Sequence, residues 1–297
     1  MEELSNEKYL GDIISQDGRN YKNIKARLNK GRGIVKKILN ILNSIPFGKL
    51  YFQIAMILRN SLLVSSVLCN SEAWFNLTNT NLNMIETVDL ELLRKILNAP
   101  LSTPKEVLFL ELGVMPLRDI IRQRRMIFLQ YIIKQKSEST IGRIFETQNR
   151  KRTPKDWITT IIKYMEELSL DLTFTHIKQM SKENWKQLIK RKIIENSFKK
   201  LLETKQKHSK VMKLEYEKLE MQTYLLPNRF ECSKEDIQLI FKIRSNMTNA
   251  KMNKKNLHKT HECTVCLKEN ETQQHIYICN EILKVSGRKK ENYPMYK

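Results

Sequence analysis

The chain has 297 residues, of which 53 are Lys or Arg and 32 are Asp or Glu, a formal net charge of +21 at neutral pH. A hydrophobic content of 41% excludes a disordered chain, and 8 Gly with 7 Pro argue against an all-β fold full of tight turns. A cationic surplus of this size points to a polyanionic partner, nucleic acid or an acidic membrane face, and not to a small acidic substrate.

The opening residues, Met1-Glu2-Glu3-Leu4-Ser5-Asn6-Glu7, are acidic and lack a basic start backed by an apolar run, so no secretory leader is expected. Residues 8–15 are apolar-rich and stop at the turn signal Gln16-Asp17-Gly18, which predicts a strand or half of a hairpin. From there the period is helical. In 20–44 the apolar positions Ile24, Leu28, Val35, Ile38 and Leu42 fall within about 40° of one line at the helical repeat. Residues 47–75 predict a long, nearly all-apolar helix. Arg59, Asn60, Ser61, Ser65, Ser66 and Asn70 interrupt it, so it reads as buried in protein and not as a membrane span. A helix over 79–98 would turn Leu82, Ile85, Leu92, Leu93 and Ile96 inward.

Thr103-Pro104-Lys105-Glu106 and Thr153-Pro154-Lys155-Asp156 read as helix starts, each with a capping Thr and Pro at the first helical position. Ser181 and Ser233 are further caps. Helices are expected over 103–110, 116–136, 138–148, 154–168, 182–206, 208–222 and 234–247. The polar, basic run at 148–153 predicts a linker, and the absence of a repeat of fixed period weighs against a solenoid.

The positive charge is unevenly placed. Residues 18–71 hold ten basic side chains and no Asp or Glu before Glu72. Within 20–44, Lys22, Lys25, Lys30, Arg32, Lys36 and Lys37 project opposite the apolar stripe. Ordinary solvated faces mix signs, because opposite charges one helical turn apart attract and like charges repel. An unmixed face is therefore expected to meet phosphates, by contacts that are sequence-blind and salt-sensitive, with Arg27 and Arg32 able to fork onto two oxygens. A second acid-free run over 237–261 includes Lys254 and Lys255. Arg122, Arg124 and Arg125 cluster after Pro116, and helix 182–206 adds Lys186, Lys190, Arg191, Lys192, Lys199 and Lys200; snorkelling stems could account for several of these.

The strongest chemical signal is Cys263-x2-Cys266-x8-His275-x3-Cys279. Cys-x2-Cys is the spacing of a tight knuckle whose thiolates face one ion, and His-x3-Cys sets two ligands one helical turn apart. Four N/S ligands suit one tetrahedral zinc with no open position, hence a structural site. His261 or His258 could stand in for His275. Cys69 and Cys232 read as core or inert thiols. Lys259, Lys268 and Lys284 lie around the knuckle in sequence. Reduced cysteines and no leader imply a nuclear or cytoplasmic protein, neither secreted nor membrane-bound.

Catalytic signals are absent from the sequence. No Asp-Asp pair, phosphate loop or nucleophile elbow occurs, and His261-Glu262 lacks the second His of a zinc protease. Asp12 and Asp17 read as turn formers. Tyr9, Trp74, Trp157 and Trp185 could stack on bases, but at helical spacing such aromatics are more often core.

In chain order the sequence carries Lys8-Tyr9-Leu10-Gly11, Ile14-Ser15 and Asp17-Gly18; Ser71-Glu72-Ala73-Trp74; Leu110-Glu111-Leu112-Gly113 with Pro116-Leu117; Arg124-Arg125; Asp156-Trp157; His208-Ser209-Lys210; Met221-Gln222 with Tyr224-Leu225; and the Cys-Cys-His-Cys knuckle. This set resembles the C-terminal part of reverse transcriptases from non-LTR retrotransposons, in the lineage bearing a restriction-like endonuclease, over about residues 8–283. The resemblance implies the end of the palm at 1–18, a thumb-like helical domain at 19–148, a helical linker domain at 149–257, the zinc knuckle at 258–283 and a basic tail at 284–297. Fingers, the palm carboxylates and the endonuclease would be missing.

The expected class is mainly α, a multi-helical bundle with a short N-terminal β segment and a small C-terminal zinc knuckle. The expected function is a truncated retroelement fragment that binds RNA or DNA through basic helices and the knuckle and has no polymerase or nuclease activity of its own. Two alternatives stay open: a partial gene product of an active RNA-directed DNA polymerase, and a helical protein-interaction scaffold.

Overall fold

The spine of the N-terminal half is α1 (Tyr21–Ser44). The computed structural model describes residues 6–9, 12–16, 20–48, 50–74, 77–154, 156–208, 211, 214–226, 233–248, 260–263 and 265–279. All five predicted stripe residues of α1 are buried, as an amphipathic period requires. Gly31 lies on the same side, where a Cβ would stand 2.9 Å from a Val67 methyl; its absence lets α1 close on α3 (Ser65–Val67).

Before α1, β1 (Asn6–Tyr9) and β2 (Asp12–Ser15) pair antiparallel, Glu7 opposite Ile14. The hairpin is tied down by Asp12, whose carboxylate accepts from Asn23 Nδ2 (2.7 Å), Arg27 Nη2 (2.5 Å) and Asn70 Nδ2 (2.6 Å). Burial alone would raise this carboxyl, but the bonds from Asn70, Arg27 and Asn23 hold it below its ordinary value.

The long helix expected over 47–75 is shorter and irregular. It starts as α2 (Tyr51–Leu58), widens into a π turn at Arg59–Val64 and ends in α3. Arg59 opens the π turn and is buried. Its guanidinium forks onto Asp89 at 2.7 and 2.6 Å and donates to the Met115 carbonyl at 3.0 Å. Residues 68–73 turn away, with Asn70 left-handed at φ 57° so that it reaches Asp12.

The first core gathers α1, α2, α3, α4 (Asn79–Leu97), α5 (Lys105–Leu112) and the start of α6 (Leu117–Ile133). Seven of the eight residues of α5 are buried. It begins after Pro104, which takes the cap position without a side-chain bond, so Thr103 does not act as the expected cap. Likewise Asp156, not Thr153, stands at the cap of α8 (Trp157–Glu167); its carboxylate accepts from the Thr153 amide at 2.7 Å.

The second core joins the rest of α6 to α7 (Thr140–Arg150), α8, α9 (Phe174–Gln179) and α10 (Lys182–Lys205). The expected linker at 148–153 is the last turn of α7 and the start of its connection to α8, and both helices pack on this core through Phe145 and Trp157. It is a turn inside one core and not a division between two. The division falls along α6 and α10: Leu117 and Ile121 serve the first core and Met126 and Leu129 the second, while Leu201 and Ile189 do the same on α10.

The helix expected over 208–222 is absent from the described part of that segment. Residues 214–222 run without regular structure, Met221 bridges Leu112 and the Gln222 amide donates to the Glu111 carbonyl at 3.0 Å, before a 3-10 turn at Thr223–Leu225. Docking against the end of α5 outweighs the helix propensity of a Lys-, Leu- and Glu-rich segment. Gly113 makes the approach possible. It ends α5 at φ 63°, and a Cβ there would overlap the Met221 amide. The helix α9, which periodicity missed, is set by a capping box between Thr173 and His176. Two elements complete the fold: α11 (Lys234–Arg244), capped by Ser233, and α12 (Gln273–Ile278).

Candidate metal centre and basic faces

The Cys3His cluster is assembled from a minimal hairpin and one helical turn. Glu262 bridges Asn270, the Cys263 amide donates to the Glu269 carbonyl at 2.7 Å and the Glu271 amide to the His261 carbonyl at 2.7 Å. Between these rungs, Leu267 turns left-handed at φ 55°, its amide donating back to the Cys263 carbonyl at 3.0 Å. That turn brings both thiols of Cys-x2-Cys to one side. Thr272 caps α12 by accepting from the His275 amide at 2.9 Å, and α12 presents His275 with Cys279 one turn on.

The ligand atoms of Cys263, Cys266, His275 and Cys279 all lie within 4.8 Å of one another and could hold a metal ion. Cys263, His275 and Cys279 are buried and Cys266 is partly so. His275 Nε2 is 3.3 Å from Cys266 Sγ, whereas Nδ1 is 3.0 Å from Glu269 Oε2. The carboxylate thus holds Nδ1 as the donor and leaves Nε2 as the lone-pair ligand. Glu269 is a site residue that spacing did not reveal. The Lys268 amide, helped by the Glu269 amide and the Cys263 and His275 side chains, outweighs burial and draws the Cys266 thiol down to about 6. Burial would lower His275, but hydrogen bonds to Cys263, Cys266 and Glu269 raise it.

His261 contributes a carbonyl and no ring ligand, and His258 lies outside the described residues. The module is fastened to α11 by Gln273, which donates to the Ile243 carbonyl at 2.6 Å and accepts from Thr248 at 2.8 Å. Its described surface carries Glu262, Glu269 and Glu271 against Lys268, so among the described residues the knuckle shows no cationic surplus. Lys259 and Lys284 fall outside the described residues, as do Lys254, Lys255, Cys232 and the tail 284–297. Cys69 is exposed and not part of a core.

The outward face of α1 carries the six cations expected to project from it. Lys22, Lys25, Lys30, Arg32, Lys36 and Lys37 are all exposed, and among the described residues none is paired with a carboxylate. Arg27 is the exception on this helix. It is buried, held by Asp12 and the Ser66 carbonyl, and is unable to fork onto phosphate.

Two expected contacts on α6 are overturned. Arg125 is 0% exposed, its guanidinium lying over the rings of Trp157 (5.5 Å) and Tyr164 (5.7 Å), and burial lowers its pKa while Tyr164 partly offsets that. A phosphate cannot reach it. The Arg122 side chain is only 14% exposed and already faces Asp119 (3.4 Å) and Glu167 (3.2 Å). Half of the cations expected on α10 are likewise paired: Lys186, Arg191 and Lys200 stand within 4.0 Å of Glu183, Glu195 and Glu167, whereas Lys190 and Lys199 are exposed with no carboxylate partner among the described residues. Trp74, Trp157 and Trp185 are buried and belong to the cores.

Several of the sequence motifs meet each other in space. Trp157 Nε1 donates to the Glu72 carbonyl at 2.8 Å, Arg124 to the Leu68 carbonyl, and Arg125 lies under Trp157. On the other side, the buried Glu111 accepts from Tyr216 at 2.7 Å and Arg244 at 3.3 Å, and Arg244 covers the Tyr224 ring at 5.2 Å. Burial and the Glu111 carboxylate push both tyrosines up, keeping them protonated, with Tyr216 the one that donates to Glu111. These motifs join elements to one another and present little surface to a ligand. Among the described residues, no helix is long and apolar enough to cross a membrane. Comparison with known proteins finds no matching family model, curated protein or solved structure.

Proposed function

We propose that this chain binds nucleic acid through the outward face of α1 and carries one structural zinc in its Cys3His module. The observation that carries the reading is the row of six exposed, carboxylate-free cations on α1. Such a face repels itself unless an anion covers it. Three thiols and an imidazole form the soft, four-ligand set that suits tetrahedral zinc, with Glu269 orienting the imidazole. A module this small has little core, so the metal would supply its folding energy and thereby position the segment fastened to α11.

By resemblance, α1 would correspond to the thumb of a non-LTR retrotransposon reverse transcriptase, and the reading gives the chain a gripping role with no polymerase or nuclease chemistry of its own. RNA and DNA are both admitted by contacts made to phosphate. Fluorescence anisotropy tests this. For about five phosphate contacts, raising salt from 50 to 200 mM should weaken binding about 100-fold for a single strand and about 500-fold for a duplex. Replacing Lys25, Arg32 and Lys36 together by Glu should flatten the salt dependence by about three contacts. Binding indifferent to salt, or untouched by the triple replacement, would favour the scaffold reading in its place.

A further inference from the structure

At the C-terminal end of α1 a cavity of about 450 Å3 opens between α1, α2 and the start of α11. Its apolar wall includes Leu42, Phe47 and Tyr51, and its polar groups include Asn43, Lys234 and Glu235. The rings of Phe47 and Tyr51 are 5.1 Å apart, and Lys234 Nζ lies 4.9 Å over the Tyr51 ring. Asn43 and Glu235 are exposed to the opening. The volume is that of a small-molecule site.

The cavity is not isolated from the basic face. At the helical repeat, Lys25, Arg32, Lys36 and Asn43 fall within about 20° of one line along α1, covering about 27 Å of its length. A strand whose phosphates follow the three cations is led by Asn43 into the cavity. Resting on the nucleic-acid reading above, we propose that the cavity takes one unpaired nucleobase from that strand, with guanine preferred.

The chemistry of the walls carries the choice. With Tyr51 buried beneath Lys234, the half-buried Phe47 ring is the aromatic surface the cavity offers, and every base has a flat face to lay against it. The Glu235 carboxylate can only accept hydrogen bonds, so it favours a base edge with two adjacent donors. Guanine has such an edge in its N1–H and exocyclic amino group. The Asn43 amide can both donate and accept beside it, and the Lys234 ammonium sits where a flanking phosphate would be neutralised. A base within a duplex has this edge occupied by its partner, so the cavity selects an unpaired nucleotide.

The intact, zinc-loaded chain should be titrated with a labelled single-stranded RNA 12-mer ending in guanine and with the same RNA ending in an abasic ribose. The proposal expects the abasic end to weaken binding about tenfold. Asn43→Ala and Glu235→Gln, both at exposed positions, remove edge contacts and leave the stacking wall, so each should narrow the difference between the two RNAs, whereas Lys25→Glu should weaken both RNAs equally. Equal affinity of the native chain for the two RNAs, or a difference undiminished in both cavity variants, overturns the proposal. If neither RNA binds, the phosphate track on α1 is refuted; guanosine monophosphate titrated alone then decides the cavity, with saturable binding lost in Glu235→Gln retaining it and no binding removing it.

Discussion

Glu269 offers a test of how the metal centre is built. The structure places its carboxylate 3.0 Å from His275 Nδ1, on the side away from the thiols. Replacing it by Ala removes the partner that fixes the imidazole and leaves all four ligands in place. Outer partners of this kind change metal affinity by about 10- to 100-fold. The Glu269 side chain is 70% exposed, so water replaces part of the lost bond and the lower end applies. Zinc affinity should fall about tenfold, or about 1.4 kcal/mol. Glu269→Gln keeps an acceptor and loses the charge, and should lie between the native chain and the Ala variant. His261→Ala should leave affinity unchanged, because its ring is outside the cluster. Competition against a chromogenic chelator measures all three, with native mass spectrometry confirming one zinc per chain and its loss in Cys266→Ser. If Glu269→Ala binds zinc as tightly as the native chain, the assignment of Nε2 as a ligand oriented through Nδ1 is wrong.

Three further outcomes follow from the fold. Asp89→Asn leaves the Arg59 guanidinium buried and unneutralised and should cost about 3–5 kcal/mol in urea unfolding, whereas an Arg59→Met, Asp89→Leu double replacement should cost much less. Gly113→Ala meets both a left-handed backbone and the Met221 amide, and should destabilise by at least about 2 kcal/mol, with increased proteolysis within residues 214–226 as the local readout. Asp12 has a folded-state pKa below the ordinary value of 3.8, so its contribution is complete above that value and is lost as pH falls through the lower, folded pKa. Protection of the β2 amides, taken relative to intrinsic exchange at each pH, should fall across that acid window in the native chain, and Asp12→Asn should remove the pH dependence of the protection.

What could be read from the sequence was what the chain repeats or spaces locally. The stripe and cationic face of α1 follow from a 3.6-residue period over 24 residues, and the four metal ligands from two short spacings. Contacts made by distant residues had no such signature. The segment after α10 looks helical by composition, yet Glu111 and Gly113, about a hundred residues earlier, decide its shape. Arg125 was judged by its charge, although it falls in the four-residue steps Leu117, Ile121, Arg125, Leu129 and Ile133 that mark the buried side of α6. That stripe was the available signal for its burial. Glu269 sits six residues before His275, on the hairpin arm that leads into α12, a relation that only the turn of the chain at the Thr272 cap creates.

The sharing of α6 and α10 between the two cores has a mechanical consequence. Each helix is a stiff rod with one end gripped by each core, so neither core can expand without prying the other. The chain should therefore melt as one cooperative body despite having two apolar centres. Severing it between α7 and α8 would not release two domains. It would leave one piece holding α6 and the other α10, each with a bare apolar side shaped for the other, and the two pieces would recombine as complementary halves.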